Sequence, residues 1–304
     1  MNIRQAWAHI LFGIPVAALL LAGCSRCPES PGTFRVLGDI PYAEIPGTDP
    51  NLLRLDLYLP DPAPKGSVPL VVWVHGGGWS IGDKSNAMDC KASLLTGAGY
   101  ALASVNYRLS PRIPSDDPGR IMHPVHAQDV ATAVFWLREH APEYGFDPGR
   151  IALMGHSAGA HLVSIVATDA SLLGAHGLTP ENLAGIVSLD TEGYDVAAHM
   201  SNGPASGIYQ NAFGEDPALW AAASPITHVA AGRGIPPFLI VTRGSAFRKG
   251  LSRKFADSLE DAEISATVVD AGRYSHADVN RKLGMPGETV VTPPVMAFLE
   301  GCLR

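Results

Sequence analysis

Ser157 is the residue whose surroundings point most directly to chemistry. It stands at the centre of GHSAG, residues 155–159, which fits the pattern G-x-S-x-G. In that pattern a strand ends and a helix begins within one sharp turn, so glycines flank the serine and leave its Oγ exposed. The apolar run IALM precedes the motif and AHLVSIVA follows it, as a strand and a helix would. The sequence therefore predicts Ser157 as a nucleophile for acyl transfer.

A glycine-rich segment predicts the group that would assist this nucleophile. WVHGGGW, residues 73–79, follows an apolar run in which glycine adds no packing and costs conformational entropy. Bare backbone N–H groups there would stabilise the oxyanion of a tetrahedral intermediate. We expect Gly77, Gly78 and Ala158 to form this oxyanion hole, with Trp79 as a wall of the substrate pocket. A phosphate-binding loop would need G-K-[ST] or G-x-G-x-x-G, and HGGGWSIGDKS contains neither.

The elements that would position these groups alternate between strands and helices from about residue 33. Two opening segments have apolar residues at every second position, and the later strand segments are more uniformly apolar, as strands covered on both faces are. The strand segments are TFRVLGDIPY, LLRLDLYLP, PLVVWVH, YALASVNYRL, IALMG, AGIVSLD, PPFLIVT and ISATVVD. With helices between them, they predict an α/β fold: about eight strands in a mostly parallel sheet covered on both faces. Residues 191–234 break the rhythm, and we interpret them as a small insertion after strand six, over the site.

Three motifs in this order, HGGGW, NYRLSP and GHSAG, resemble those of α/β-hydrolase esterases of the hormone-sensitive-lipase and carboxylesterase type. The resemblance spans roughly residues 50–302. It implies the eight-stranded α/β-hydrolase fold, hydrolysis of carboxylic esters by a serine, and the chain order nucleophile, acid, histidine. No motif for a metal, nucleotide or flavin accompanies these segments, so we expect no cofactor.

The histidine of that order should follow the last strand. His276, in GRYSHADVN, is the histidine in this position, and none lies between it and His228. We expect His276 to take the proton of Ser157 and to return it to the leaving alcohol. The alternative is an ordinary histidine of a surface loop.

The acid departs from the family pattern. The stretch after strand seven, VTRGSAFRKG, contains no carboxylate where the family carries an aspartate. Asp190 ends strand six, a position that resembles the acid of a minority of lipases, and we predict it as the acid of this chain. The alternatives are Asp195 or Glu192, then Asp270 or Asp278, or no working acid. Without an acid the chain would be a weak esterase or a binding module on a hydrolase scaffold.

Composition limits the class of protein. The 304 residues are 46% hydrophobic and 17% charged, which suits one large core. A formal net charge of −7 without basic runs argues against nucleic acid as a partner. We expect an esterase for a small or medium ester, with an arylformamidase or a peptidase as the alternative, because the fold does not choose the leaving group. Tyr194 in the insertion is a further candidate for the pocket wall, as are Tyr209, Phe213 and Trp220, although core packing competes with that role.

The first thirty residues predict export. The apolar run from Ile10 to Leu21 has about 12 residues, fewer than the roughly 20 that span a membrane. It leads into LAGC, which resembles the lipobox of bacterial lipoproteins. We therefore expect a lipid on Cys24 that anchors the protein to a membrane. Ser25, rather than an aspartate, follows this cysteine, which by the sorting pattern of such lipoproteins implies the outer membrane. Ordinary signal-peptide cleavage and an uncleaved anchor are the alternatives. The predicted divisions are a signal peptide at 1–23, a tether at 24–32 and one hydrolase domain at 33–304.

Three further cysteines would lie in that oxidising setting. We expect Cys90 to pair with Cys302, because both belong to predicted helices on one face of the sheet. Cys27 would then be unpaired. The alternative is three free thiols.

Overall fold

The computed structural model describes residue 27, residues 33–202 and residues 207–304. The strands of this part of the chain are β1 (Thr33–Pro41), β2 (Arg54–Asp61), β3 (Val68–Val74), β4 (Ala101–Val105), β5 (Phe146–His156), β6 (Gly185–Leu189), β7 (Phe238–Thr242) and β8 (Ala266–Asp270). The α-helices are α1 (Asp89–Gly97), α2 (Val125–Tyr144), α3 (Ala158–Thr168), α4 (Ala170–Gly174), α5 (Val196–Asn202), α6 (Gly207–Phe213), α7 (Pro217–Ala222), α8 (Ala246–Asp261), α9 (His276–Arg281) and α10 (Thr292–Leu303). Short 3-10 helices lie at Pro50–Leu53, Pro180–Asn182, Gly193–Asp195 and Pro225–His228.

These strands form one sheet in the order β1-β2-β4-β3-β5-β6-β7-β8. β2 pairs antiparallel with both β1 and β4, and the remaining neighbours pair in parallel. Parallel neighbours require crossover connections, and the helices supply them. The predicted eight-stranded, mostly parallel sheet is confirmed. The carboxyl ends of β3, β5, β6, β7 and β8 meet at one edge, where open α/β sheets bind their ligands.

Alternate residues of the central strands enter two separate cores. In β3, Leu70, Val72 and Val74 belong to one core, whereas Val71 and Trp73 belong to the other. Side chains of α2, α3 and α8 complete the first core, and side chains of α1, α9 and α10 complete the second. Because both faces are covered, these central strands are largely apolar and do not alternate regularly with polar residues.

Two strand boundaries differ from the prediction by four residues or more. β4 ends at Val105, four residues before the end of the predicted segment. The chain leaves the sheet there because the backbone N–H and the guanidinium of Arg108 both donate to the carboxylate of Asp129. β5 begins at Phe146, five residues before the predicted strand segment IALMG. Val68 pairs with Phe146 and Leu70 with Ile151, so the residues between them form a bulge in β5.

The predicted disulfide is wrong. Cys27 is bonded to Cys90, and Cys302 is a free, half-buried thiol. α1 carries Cys90 over β1, β2 and β4, whereas α10 carries Cys302 over β5 and β6, so the two residues share a face of the sheet but lie over different strands. Residues 1–26 and 28–32, with the predicted signal peptide and Cys24, lie outside the described residues. Within the described part, no helix has the length and apolar character needed to cross a membrane.

Candidate active site

The turn between β5 and α3 presents Ser157. This residue has φ 57° and ψ −119°, a conformation that non-glycine residues rarely adopt and that marks functional turns. A Cβ on Gly159 would stand 2.0 Å from the carbonyl oxygen of Val74, and a Cβ on Gly155 would stand 2.4 Å from the backbone of Gly159. Only glycine fits at either position, so these residues allow the sharp turn that exposes the serine side chain.

The glycine loop after β3 lies opposite this turn. Gly77 has φ 124°, and a Cβ there would stand 1.9 Å from the carbonyl oxygen of Ile81, so this position also requires glycine. Within the described chain, the N–H groups of Gly77 and Gly78 donate to no backbone carbonyl. Ala158 begins α3, where backbone N–H groups lack helical partners. All three predicted oxyanion-hole residues line the same cavity as Ser157.

His276 and Asp190 meet at this edge of the sheet. The Nδ1 of His276 lies 2.6 Å from Oδ2 of Asp190, and beside a carboxylate it is this nitrogen that carries the proton. Asp190 follows β6 with φ 54°, and its N–H donates to Val241 of β7 at 2.8 Å. His276 begins α9 directly after Ser275, which caps that helix. Among the described residues no hydrogen bond joins Ser157 to the His276 ring, and sites without substrate often leave this bond long.

Two arginines hold the carboxylate of Asp190. Arg243 donates from Nε to Oδ2 at 2.7 Å, and Arg248 donates from Nη1 to Oδ1 at 2.8 Å. Asp190 is completely buried. Burial alone would raise its pKa, but the hydrogen bond from His276, the charge of Arg248 and the hydrogen bond from Arg243 together lower the pKa to about 2. The carboxylate is therefore ionised at neutral pH.

His156 supports His276 from the other side. The two rings lie with their centroids 4.5 Å apart, and Nε2 of His156 is 2.9 Å from the backbone oxygen of His276. Burial, and then the neighbouring His276, lower the pKa of His156 to about 3, so its ring is neutral and donates this hydrogen bond. From the sequence, no role was predicted for His156 or for either of these arginines.

The other carboxylates considered for the acid are engaged elsewhere. Their partners are Lys254 for Asp195 at 2.7 Å, Arg248 for Glu192 at 2.9 Å, Lys249 for Asp270 at 2.7 Å and the helix-capping Ser275 for Asp278 at 2.8 Å. None of these partners is a histidine. Of the five carboxylates weighed, the structure brings only Asp190 to His276.

Comparison with known proteins identifies the family. The sequence profile of the BD-FAE family matches residues 55–246, which contain the glycine loop, the serine turn and Asp190. The chain belongs to the BD-FAE family. His276 lies beyond the matched residues.

Curated relatives of this BD-FAE chain include two named hydrolases. It is 31% identical over 275 residues to esterase LipQ of Mycobacterium tuberculosis, a match that covers 81% of this chain and 59% of LipQ. It is 32% identical over 206 residues to a Rhodococcus erythropolis protein named "Probable N-octanoylanthranilate hydrolase AqdA2", which covers 62% of this chain and 42% of that protein. The chain therefore spans less than two thirds of the length of either relative.

A solved structure shares the fold of this BD-FAE chain. Inhibited esterase B from Lactobacillus rhamnosis has a TM-score of 0.72 at 22% identity, over 92% of this chain and 89% of that chain. The likeness shows the fold. With the family match and the relatives, it confirms the predicted resemblance to α/β-hydrolase esterases of the hormone-sensitive-lipase and carboxylesterase type.

The cavity of this BD-FAE chain has a volume of about 450 Å³ and is lined by Ser157, Asp190 and His276. Trp79 lines it, as predicted, and its ring contacts Tyr209 edge-on at 5.0 Å. Tyr194 does not line it, so that prediction is wrong. Its ring stacks on Phe255 with the ring centroids 4.6 Å apart, and its hydroxyl is 2.6 Å from Oγ of Ser188 in β6. All three side chains are buried.

The same side chains have the composition of a metal site. One donor atom each from His156, Asp190 and His276 lies within 4.8 Å of the others. However, His156 donates to a backbone oxygen, and the carboxylate of Asp190 is already shared by His276, Arg243 and Arg248. Two guanidinium groups at the only anionic donor disfavour a cation, so this set suits proton transfer better.

Proposed function

We propose that this chain is a serine hydrolase of carboxylic esters that forms an acyl-enzyme on Ser157. The observation that carries the proposal is the 2.6 Å contact of His276 with the ionised Asp190, in the cavity where Ser157 lies on its strained turn. Gly77 and Gly78, whose N–H groups donate to no backbone carbonyl of the described chain, line the same cavity. A nucleophile, a base, an acid and an oxyanion hole are the parts that acyl transfer requires.

The residues would act in two steps. Nε2 of His276 takes the proton of Ser157 as Oγ attacks the ester carbonyl carbon, and the negative charge moves to the carbonyl oxygen, which the N–H groups of Gly77, Gly78 and Ala158 stabilise. The intermediate collapses, the bond to the alcohol oxygen breaks, and His276 returns the proton to that oxygen. Water, activated by the same histidine, then attacks the acyl-enzyme and releases the acid and free Ser157. Asp190 stabilises the imidazolium in both steps.

The names of relatives favour ester cleavage, and one name keeps an amide alternative open. LipQ is named an esterase, whereas AqdA2 is named for an N-acyl substrate, whose cleavage has an amine as leaving group. An arylformamidase or peptidase activity on this site is therefore the second candidate. A catalytically weakened binding module is the third, and it differs from both because its serine would not react.

One experiment separates these candidates. The purified full-length chain is assayed with p-nitrophenyl acetate and butyrate and with the corresponding p-nitroanilides, beside Ser157→Ala. We expect ester turnover that falls at least a thousandfold in the variant. We also expect an organophosphonate probe to add its mass to Ser157, as found by peptide mass spectrometry. Faster anilide turnover would support the amide alternative, and equal rates for wild type and variant with no labelling would refute the hydrolase proposal.

We also propose that the protein is exported and anchored in the outer membrane by a lipid on Cys24. The support is the lipobox-like LAGC after a short apolar run. The Cys27–Cys90 disulfide agrees with an oxidising compartment. Labelling cells with an alkyne fatty acid should tag the wild type and not Cys24→Ser, and membrane fractionation should place the wild type with outer-membrane markers. An untagged wild type would refute the anchor.

A further inference from the structure

Several exposed apolar side chains lie beside the cavity. Six large hydrophobic side chains of the described chain are prominently exposed, and four of them belong to segments that border the cavity. The four are Ile81, Ile113, Ile208 and Phe247, exposed by 48%, 78%, 51% and 39%, and we call them the apolar rim. The other two are Val36 on β1 and Ile45 in the loop after it, at the far end of the sheet.

Two rim residues stand beside the expected oxyanion hole. Ile208 lines the cavity, and its Cγ2 is 2.8 Å from the point where a Cβ on Gly78 would stand. Cγ1 of Ile81 is 3.1 Å from the corresponding point on Gly77. An ester whose carbonyl oxygen occupies the oxyanion hole could therefore place an attached apolar chain against either isoleucine.

The other two residues extend the rim outward. The ring of Phe247 lies 6.3 Å from His199, which stacks on the cavity-lining Tyr209 at 4.0 Å. Ile113 precedes Pro114, whose Cγ is 3.3 Å from the point where a Cβ on Gly207 would stand, next to Ile208. The rim thus connects with the apolar side of the cavity, which Trp79, Ile208 and Tyr209 form.

Convergence makes these exposures meaningful. A single exposed isoleucine is ordinary on a protein surface. Here four come from separate segments: the glycine loop, the loop after β4, α6 and the start of α8. Apolar patches of this kind mark binding surfaces, and this one is continuous with a cavity that holds a nucleophile.

Building on the ester hydrolase function proposed above, we propose that the apolar rim binds an aliphatic chain of the substrate that extends beyond the cavity. The preferred substrates are then esters with a medium or long alkyl chain. The chain belongs to the acyl group or to the alcohol, and both present the same chemistry to the rim. Its burial against the rim removes apolar surface of both partners from water, which strengthens binding with each added methylene.

The test compares chain lengths in matched variants of the full-length chain. We measure kcat/KM for p-nitrophenyl acetate and p-nitrophenyl octanoate, and for ethyl acetate and octyl acetate, in the wild type, Ile208→Ser and Ile113→Ser. Val36→Ser is the control, because Val36 is about as exposed as Ile208, at 48% against 51%, but lies on β1. In at least one of the two series, we expect the wild type to have a higher kcat/KM for the eight-carbon substrate than for the short one. Each rim variant should lower that ratio of kcat/KM values about tenfold. The series that responds tells whether the rim holds the acyl chain or the alcohol chain.

Several results would overturn the inference. A preference that is unchanged in both rim variants, or that falls equally in Val36→Ser, would show that the rim does not bind the chain. If the wild type sediments as a dimer and Ile113→Ser as a monomer in analytical ultracentrifugation, with the preference unchanged, the rim would instead be a contact between copies of the protein. Failure of the proposed function is a separate outcome, since the wild type would then hydrolyse neither the acetates nor the octanoate.

Discussion

Replacement of Asp190 by asparagine tests the acid of the site through both stability and rate. The pKa of this carboxyl falls from the usual 3.8 to about 2, which corresponds to about 2 kcal/mol of interaction that favours the ionised form. The amide keeps the shape but removes the charge, so Arg243 loses its anionic acceptor, whereas Arg248 keeps Glu192. Since breaking a buried ion pair leaves a partner uncompensated, we expect the free energy of unfolding to fall by about 3 kcal/mol.

The effect of Asp190→Asn on rate should be far larger than unfolding could produce. An amide that donates to Nδ1 of His276 selects the tautomer with a proton on Nε2, which cannot accept the proton of Ser157. We expect kcat to fall about 10⁴-fold. A domain with about 5–15 kcal/mol of stability remains folded after a loss of about 3 kcal/mol, so the remaining protein would be folded but inactive.

The assay pairs urea unfolding with p-nitrophenyl butyrate kinetics, and Asp195→Asn is the control. Asp195 is also buried and bound to a cation, Lys254 at 2.7 Å, but it contacts no histidine. It should lose stability and keep kcat within about tenfold. Because the depressed pKa stabilises the protein above pH 3.8 and loses that effect as pH falls through about 2, the stabilities of wild type and Asp190→Asn should converge in acid. A folded Asp190→Asn with kcat within about tenfold of wild type would refute Asp190 as the acid.

Three further changes test other parts of the structure. Gly77→Ala should lower kcat about 10²–10³-fold in steady-state kinetics, because the added Cβ cannot avoid the carbonyl oxygen of Ile81. Gly99→Ala is the control and should keep kcat, because Gly99 also has a positive φ but has open space around it. Burial lowers the pKa of Lys91 from 10.5 to about 7, so between these pH values the unfolded state holds a proton that the folded state lacks. The stability of wild type relative to Lys91→Met should then rise by up to about 1.4 kcal/mol per pH unit in denaturant unfolding, and parallel curves would contradict the assignment. Cys27→Ser removes a disulfide that joins residues 63 positions apart, and it should lower the free energy of unfolding by about 4 kcal/mol. Dithiothreitol should then no longer lower the melting temperature of this variant, whereas it should still do so in Cys302→Ser.

The sheet and the nucleophile were predictable because local sequence determines them. Strands covered on both faces must be largely apolar, and the buried stretches of β3 to β7 follow that rule. The serine turn was predictable from its motif, because the glycines of G-x-S-x-G already imply a close backbone approach, which the structure shows between Gly159 and Val74 of β3. The boundaries of β4 and β5 were less predictable, because a distant carboxylate, Asp129, and a bulge determine them.

Long-range pairing accounts for what the sequence analysis missed. The choice between Cys27 and Cys302 as the partner of Cys90 depends on where α1 and α10 lie across the sheet, and no spacing in the sequence reports that position. Tyr194 looked like a pocket residue because its segment lies over the site, but its ring turns inward to stack on Phe255. The first error concerns the position of two helices across the sheet, and the second concerns the direction of one side chain.

Arg243 explains how the proposed acid, Asp190, can occupy a different strand from the one that the family pattern uses. It lies just after β7, the usual place of the acid, and its guanidinium reaches back to Asp190 at the end of β6. Neighbouring strands are about 4.8 Å apart, so a shift of one strand needs a local change of backbone direction, which the positive φ of Asp190 supplies. The shift also places a carboxylate where no solvent reaches it, and burial alone would raise its pKa. Arg243 and Arg248 offset the cost of burying the charged carboxylate. Both arginines belong to VTRGSAFRKG, so the segment that lacks a carboxylate supplies the cations that stabilise the aspartate after β6.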